Sequence, residues 1–252
     1  MDDDIITALE EQQAELSALL RGLDASGWER PSRCEGWSVA DVVLHVAQTN
    51  EMAIGSAQGR FMEATLELSD GIAPAADIDA GADLMVQRDR AIGHDAIHQR
   101  YLDGAHELAA LFRASDPHKR VTWVAGELTI RTLTTTRLAE TWIHTGDVAE
   151  GLGVTLAPND RIRHIARLAW RTLPYAFARD GRALLGPVAF ELTGPNGDAW
   201  HFVPDEPAVT TIRGDASELV QVAARRLEGK ASTLTGEGPD VDSVLALVRT
   251  YA

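Results

Sequence analysis

Two widely separated segments of this chain carry side chains of metal-binding type at helical spacing. The first ends at His45, and the second holds Glu140 and His144. Glu140 and His144 are four residues apart, so a helix places them as neighbours on one face, and His45 would come from another helix. Two imidazoles and a carboxylate leave coordination positions open, which is typical of a working metal site rather than a closed structural one. A metal site formed by these three residues requires a fold in which the two polar helix faces meet.

The same spacing has a plainer interpretation. Arg137, Glu140, His144 and Asp147 form one polar stripe, and such a stripe can be a solvated helix face with weak surface ion pairs. A histidine beside an apolar face, as His45 is, more often serves as a satisfied core residue than as a ligand. Two independent polar stripes that each contain histidine and border apolar residues favour a shared buried site.

Charge excludes some classes of function. The chain has 252 residues, of which 45% are hydrophobic, and its formal net charge is -15. That many apolar residues can form one large or two modest cores. No stretch is rich in Lys or Arg, and an acidic surface repels phosphate backbones and anionic lipids. We therefore expect neither a nucleic-acid partner nor a membrane partner.

Cysteine usage and the apolar runs indicate a compartment. Cys34 is the only cysteine, so no intrachain disulfide can form and cysteine-rich zinc motifs are excluded. The N-terminus lacks the basic start and the apolar stretch of a signal peptide, and no apolar run is long enough to span a bilayer. These features predict a soluble, cytoplasmic protein.

Helical periodicity dominates the first part of the chain. Ser38 is predicted to cap one helix, with Asp41 at the capping-box position. The predicted helices cover 4–23, 38–54, 82–112 with a break near Gly93 or Gly104, and 133–150 followed by a C′ glycine at Gly151. Residues 69–82 are predicted to be a loop and 121–124 a short extended segment. The pattern indicates an N-terminal bundle of about four helices.

The last part of the chain has a different pattern. A helix is predicted over 162–177, and residues 188–193 and 199–203 alternate around Gly194-Pro-Asn-Gly197, which indicates a β-hairpin. Further predicted elements are a helix from Asp215 to about Leu227, a strand over 232–235, and a helix from Pro239 at N1 to Thr250. We therefore predict an α+β, mainly α fold with domains at 1–155 and 156–252, the boundary falling between 151 and 185.

The residues from Trp28 to His45 and from Glu140 to Asp147 resemble a known family. The resemblance is to the DinB-like superfamily, specifically to the actinobacterial mycothiol-dependent maleylpyruvate isomerase relatives, and it spans nearly the whole chain. It implies a DinB-like four-helix bundle followed by a small α+β domain. It also implies that His45, Glu140 and His144 bind a divalent metal, usually zinc.

Members of the family use the metal to hold and activate a low-molecular-weight thiol. The resemblance thus implies mycothiol as cosubstrate and a small electrophilic metabolite as substrate of an isomerase or a thiol S-transferase. Two alternatives stay open. One is a metal-binding carrier or regulatory protein without catalysis, and the other is a metal-dependent hydrolase that acts without added thiol. The protein is expected to be a monomer or a homodimer.

Three further residues are candidates for the chemistry. Asp147 can orient a metal-bound histidine or act as a base, because such histidines usually donate their other N–H to a carboxylate or carbonyl. It can equally be a solvent-exposed carboxylate. The resemblance implies that an arginine of the C-terminal domain holds a substrate carboxylate bidentately, and Arg225 and Arg226 are the candidates.

Other reactive side chains have simpler explanations. Cys34 precedes a helix N-terminus, where a thiolate is stabilised, but a lone cysteine in such a loop more often serves packing. The histidines of the long predicted helix are expected to be exposed or to line the mouth of the site, and two tryptophans are expected to pack the loop before Ser38 against the bundle. These residues are His94, His98, His106, Trp28 and Trp37.

Overall fold

The computed structural model describes residues 4–72, 75–124 and 126–250. Helices make up most of it, so the fold is α+β and mainly α, as the sequence predicted. It divides into two compact units, an N-terminal unit that ends at Leu156 and a C-terminal unit that begins at Ala157. The assignment of independent domains to 1–155 and 156–252 stays a prediction. None of the helices in the described ranges is long and apolar enough to cross a membrane.

The N-terminal unit is a helical bundle. Its helices are α1 (Ile5–Leu20), α2 (Ala25–Trp28), α3 (Val39–Ala57), α4 (Phe61–Leu68), α5 (Ile78–Asp89), α6 (His94–Ala114) and α7 (Ile130–Leu152). The long helices α1, α3, α6 and α7 pack on one another and enclose the core. A hairpin of β1 (Arg120–Trp123) and β2 (Gly126–Thr129) precedes α7.

Capping residues set the ends of the two helices that matter for the site. Helix α3 begins with the predicted capping box, in which Ser38 and Asp41 each bond the backbone N–H of the other. Helix α7 begins after Thr129 and ends at Leu152, and Gly153, which has φ 72°, is its C-cap. The prediction of Gly151 as the C′ residue was wrong. Gly151 lies inside α7, where an added Cβ would come 2.6 Å from the carbonyl oxygen of Pro31.

Several other boundaries in this unit differ from the prediction. The long helix breaks at Gly93, which has φ 91°, and not at Gly104, which lies within α6. The predicted loop over 69–82 gives way to α5 at Ile78, because Asp77 caps that helix; residues 73 and 74 lie outside the described ranges. Helix α4 and strand β2 were not predicted, because both are too short to give a clear periodic pattern.

The C-terminal unit packs helices on a four-stranded sheet. Its elements are α8 (Ile162–Arg171), α9 (Leu173–Arg179), β3 (Val188–Thr193), β4 (Ala199–Phe202), β5 (Thr210–Asp215), α10 (Ala216–Ala223), β6 (Thr235–Glu237) and α11 (Val241–Leu247). The strand order is β4-β3-β5-β6. The predicted hairpin is confirmed, with Phe190 opposite Phe202 in antiparallel register, whereas β5 runs parallel to β3.

Four predictions in this unit were wrong in detail. Strand β5 was not predicted, and the strand placed at 232–235 is β6 at Thr235–Glu237. The helix predicted over 162–177 is two helices that meet at Thr172. Helix α10 ends at Ala223 rather than near Leu227, because Arg225 has a left-handed φ of 59°. Helix α11 begins after Asp240, so Pro239 precedes the helix cap and is not at N1.

Candidate metal centre

The polar stripe of α7 lies inside the N-terminal unit rather than facing solvent. Arg137, His144 and Asp147 are all buried, with relative exposures of 2%, 9% and 1%. Helix α3 packs against α7, and it brings His45, also buried, to the same place. The interpretation of this stripe as a solvated helix face is therefore wrong. A buried polar stripe needs partners within the protein or a bound ion.

Two histidine side chains converge there on one carboxylate oxygen of Glu140. Nε2 of His45 lies 2.9 Å from Oε1 of Glu140, and Nε2 of His144 lies 3.5 Å from the same oxygen. The two imidazole rings are edge to face, with centroids 4.9 Å apart. All three potential ligand atoms lie within 4.8 Å of one another. The structure thus brings together the three residues predicted as metal ligands.

The geometry of this cluster fits a divalent metal. Ligand atoms of a tetrahedral zinc, at bond lengths of about 2.0–2.1 Å, lie about 3.3–3.4 Å apart. The two distances to the Glu140 oxygen, 2.9 and 3.5 Å, lie on either side of that value. The Glu140 side chain is 23% exposed, against 11% for each histidine, so the cluster is most open on the side of the carboxylate. Two nitrogens and an oxygen suit zinc and leave at least one position open.

Asp147 fixes the orientation of His144. Nδ1 of His144 lies 3.0 Å from Oδ2 of Asp147, one turn further along α7. An ionised carboxylate only accepts hydrogen bonds, so it holds a proton on Nδ1 and leaves Nε2 to face Glu140. His45 has no equivalent support, because its buried Nδ1 has no partner among the described residues.

The electrostatics of the cluster favour a bound cation. Burial lowers the pKa of His45, so its ring is neutral and can donate a lone pair. Burial acts to raise the pKa of Glu140, but hydrogen bonds with His144 and His45 hold it well below its ordinary value. Burial also acts to lower the pKa of His144, but hydrogen bonds with Asp147, Cys34 and Glu140 raise it well above its ordinary value. A metal ion would replace the proton on Nε2 of His144, which faces Glu140, while the proton on Nδ1 stays with Asp147.

The loop between α2 and α3 places Cys34 beside this pair. The backbone N–H of Arg33 donates to the carbonyl of Asp147 at 3.3 Å, and its side chain pairs with Glu150 at 2.7 Å. Sγ of Cys34 then lies 3.3 Å from Oδ2 of Asp147. Cys34 packs against the apolar core, as the sequence predicted, and its contact with Asp147 is an addition that the sequence did not indicate.

Cys34, His144 and Asp147 form a second group of potential ligands. Asp147 is 1% exposed, and the oxygen it would offer already accepts hydrogen bonds from the other two residues. Cys34 is half-buried, as Glu140 is, so exposure does not separate the two groups. The group of His45, Glu140 and His144 is the better candidate for a working centre, because two imidazoles and one carboxylate are the ligand set typical of an open divalent-metal site.

Arg137 was not predicted to take part in the site, and its surroundings differ from those expected. Instead of pairing with Glu140 at the surface, it donates through Nη2 to Oγ1 of Thr49 at 2.9 Å and to Oδ1 of Asn50 at 3.0 Å. It therefore joins α7 to α3. The signal in the sequence was the position of Thr49, one turn after His45 on the polar stripe of α3.

The two tryptophans of the motif have different surroundings. The ring of Trp37 lies 5.2 Å from that of His45, and its indole N–H donates to Oδ1 of Asp83 on α5 at 2.9 Å. Trp28 is buried against α6, where its ring lies 5.8 Å from His94 and 5.5 Å from His98. Of these two tryptophans, Trp37 is therefore the one that lies beside the candidate metal ligands.

The remaining candidates have other contacts. Asp41 caps α3 and pairs with Arg90, which accounts for its carboxylate. His106 is exposed. Arg225 and Arg226 follow α10 in the C-terminal unit, where they donate to the carbonyls of Ala246 and Ala224. Their binding of a substrate carboxylate stays a prediction.

A family model and curated relatives match this chain. The model described as the mycothiol maleylpyruvate isomerase N-terminal domain matches residues 9–149, which include His45, Glu140 and His144. Two uncharacterized proteins from two strains of Mycobacterium tuberculosis are each 26% identical to this chain over 255 residues. The match spans 98% of this chain and 95% of each relative.

Solved structures share the fold. A crystal structure of the mycothiol-dependent maleylpyruvate isomerase superposes with a TM-score of 0.59 at 19% identity, over 94% of both chains. The structure of a histidine-to-alanine mutant of that enzyme gives a TM-score of 0.58 at 18% identity, with the same coverage. At this level of identity the likeness establishes the architecture of the chain.

Proposed function

Because the chain belongs to the family defined by the mycothiol maleylpyruvate isomerase N-terminal domain, we propose that it is a metal-dependent enzyme of low-molecular-weight thiol chemistry. It would be a mycothiol-dependent isomerase or a thiol S-transferase that acts on a small electrophilic metabolite. The observation that carries the proposal is the convergence of His45 Nε2 and His144 Nε2 on Oε1 of Glu140 within the bundle.

Each residue would have a separate role at such a centre. Zinc or another divalent metal held by His45, Glu140 and His144 would lower the pKa of a thiol bound beside them and so supply a thiolate at neutral pH. Asp147 keeps the proton of His144 on Nδ1. Trp37 lies against the ring of His45 and limits the space around it. The exposed edge of Glu140 is the side from which a thiol can enter.

The isomerisation needs no net consumption of thiol. The sulfur adds to one carbon of a cis double bond that is conjugated to a carbonyl, and the electron pair of that bond moves into the conjugated system. Rotation about the resulting single bond and expulsion of the same sulfur then give the trans isomer. In a transferase, a proton from solvent adds instead to the neighbouring carbon, and the thioether is the product.

A substrate of this kind carries a carboxylate, which an arginine can hold bidentately. Arg225 and Arg226 are the two candidates that the family resemblance suggests in the C-terminal unit. Arg225 donates through Nη1 to the carbonyl of Ala246, and Arg226 donates through Nη1 to the carbonyl of Ala224. We propose that one of the two holds the substrate.

The proposal is tested with zinc-loaded protein, mycothiol and a panel of cis-unsaturated keto acids that includes maleylpyruvate, followed by proton NMR. We expect turnover that needs the thiol and that is lost in Glu140→Ala. Glu107→Gln, which changes an exposed carboxylate on α6, is the control and should retain activity. Turnover without thiol would indicate a hydrolase instead. Thiol binding without turnover of any panel member would indicate a carrier.

A further inference from the structure

Arg137 is a buried cation that has no buried anion paired with it. Its relative exposure is 2%, and its hydrogen-bond partners are the neutral side chains of Thr49 and Asn50. Its Nε has no partner at all among the described residues. No carboxylate of those residues lies within ion-pair distance of it. Burying an uncompensated charge is costly, so the fold retains this arginine against a penalty that an apolar residue would avoid.

The position of this charge relates it to the metal cluster. Arg137 lies one turn before Glu140 on α7, and its partner Thr49 lies one turn after His45 on α3. Oγ1 of Thr49, which accepts from Arg137, also donates to the backbone carbonyl of His45 at 3.0 Å. The charge of Arg137 is therefore buried one helical turn from Glu140 and is held by a residue one turn from His45.

A charge count shows the consequence. A divalent cation at the cluster is balanced by the carboxylates of Glu140 and Asp147, while both histidines are neutral when they act as ligands. Arg137 then leaves one positive charge in excess. Burial raises the pKa of Tyr101 above its ordinary value, so its phenol is neutral at pH 7. Sγ of Cys34 donates a hydrogen bond to Asp147, and Asp83 is half-buried and screened by water.

We propose that Arg137 is a positioning residue that makes the open metal position selective for a singly charged anion, such as a thiolate, over a neutral ligand. This inference rests on the metal-centre assignment of the proposed function and names the ligand class of the same site. The excess charge favours an anion at the open position because it is buried, where Coulomb attraction is weakly screened. The hydrogen bonds to Thr49 and Asn50 hold the guanidinium in place.

The test uses cobalt(II)-substituted protein, in which ligand binding is read from the visible absorption spectrum. Azide is the anionic probe and imidazole the neutral probe, so the ratio of their affinities reports charge selectivity rather than activity. Arg137→Gln removes the charge but keeps a hydrogen-bond donor, and Arg137→Lys keeps the charge. We expect azide affinity to fall about tenfold or more in Arg137→Gln, with imidazole affinity within about threefold of the parent. Arg137→Lys should keep the parent ratio.

A parallel loss of both probes, or no change in either, would overturn the proposal, because it would show a structural role or none. Thr49→Val provides a second variant that leaves Arg137 itself unchanged. It removes the hydrogen bond from Arg137 to Thr49 and keeps the charge, so the ratio of azide to imidazole affinity should equal that of the parent. A shift of that ratio would contradict a role for the charge. If the parent itself binds cobalt but neither probe, there is no open position and the proposed function fails with it.

Discussion

Asp147 and His144 form a buried carboxylate–histidine pair, with Oδ2 and Nδ1 3.0 Å apart one turn along the same helix. The pair turns Nε2 of His144 toward Glu140 and His45, so a residue outside the ligand set decides which nitrogen can meet a metal. The same carboxylate oxygen lies 3.3 Å from Sγ of Cys34. Asp147 is thus the link between the ligand cluster and the loop that precedes α3.

The first prediction concerns this carboxylate. Asp147→Asn should weaken zinc binding about 10–100-fold, because an amide no longer fixes the proton on Nδ1 of His144. Competition with a chromogenic chelator measures the affinity. Glu107→Gln, at an exposed position of α6, is the control and should bind zinc like the parent. Unchanged affinity in Asp147→Asn would mean that His144 needs no orienting partner.

The second prediction separates the two potential ligand groups. Cys34→Ser should keep one metal per chain with affinity within about threefold of the parent, because the favoured ligands contain no sulfur and serine can still donate to Asp147. The cobalt-substituted parent should show no sulfur-to-metal charge-transfer band until a thiol is added. A band before addition, or loss of metal in the variant, would assign the metal to Cys34, His144 and Asp147.

The third prediction concerns pH and the N-terminal unit. Hydrogen bonds from Arg88, Arg100 and Gln48 hold the pKa of Asp89 well below its ordinary value of 3.8. Because the folded pKa is depressed, this stabilisation is fully present above the ordinary value and is lost as pH falls through the folded one. Asp89→Asn should lower the free energy of unfolding at pH 7 by about 1–2 kcal/mol.

Urea titrations at pH 7 and at pH 3 check this. The difference between the parent and Asp89→Asn should narrow at the lower pH, since the parent then begins to lose the same interaction. Asp103→Asn, at an exposed position of α6, should change stability little at either pH. A difference that is constant between the two pH values would show that the charge of Asp89 is not what stabilises the unit.

The fourth prediction compares the two arginines of the C-terminal unit. Arg225→Gln and Arg226→Gln each remove a cation that could hold the carboxylate of a substrate. One of the two should raise the KM for a carboxylate substrate about tenfold or more, with a smaller effect on kcat. Arg213→Gln, at a residue that pairs with Glu191 and Glu237 on the sheet, is the control. If KM is unchanged in both variants, neither arginine holds the substrate.

Features that depend on neighbouring residues were predicted correctly from the sequence. The capping box of Ser38 and Asp41 and the break at Gly93 follow from short-range rules of backbone geometry, and the structure has both. The four-residue spacing of Glu140 and His144 gave their common helix face. The polar stripe of α3 made His45 the candidate partner from another helix, and the family resemblance implied the same residue. Spacing could not show that the two stripes meet, because packing between helices depends on contacts between residues far apart in the chain.

The sequence failed where tertiary contacts decide the environment. Spacing predicted that Arg137 pairs with Glu140 at the surface, but packing of α3 against α7 buries Arg137 beside Thr49. Cys34 packs against the core as predicted, but its contact with Asp147, which follows from the loop contacts of Arg33, was not predicted. Both positions depend on side chains far apart in sequence, for which helical periodicity carries no information.

If His45, Glu140 and His144 hold one divalent metal, elemental analysis of protein purified without chelators or a metal-affinity tag should detect it. The parent should contain about one zinc or other divalent metal per chain. His45→Ala, Glu140→Ala and His144→Ala should each lose that metal while circular dichroism shows that helical content is retained. Failure of the parent to take up metal even after reconstitution with zinc would rule out this metal centre, as would a His144→Ala variant that still binds a full equivalent.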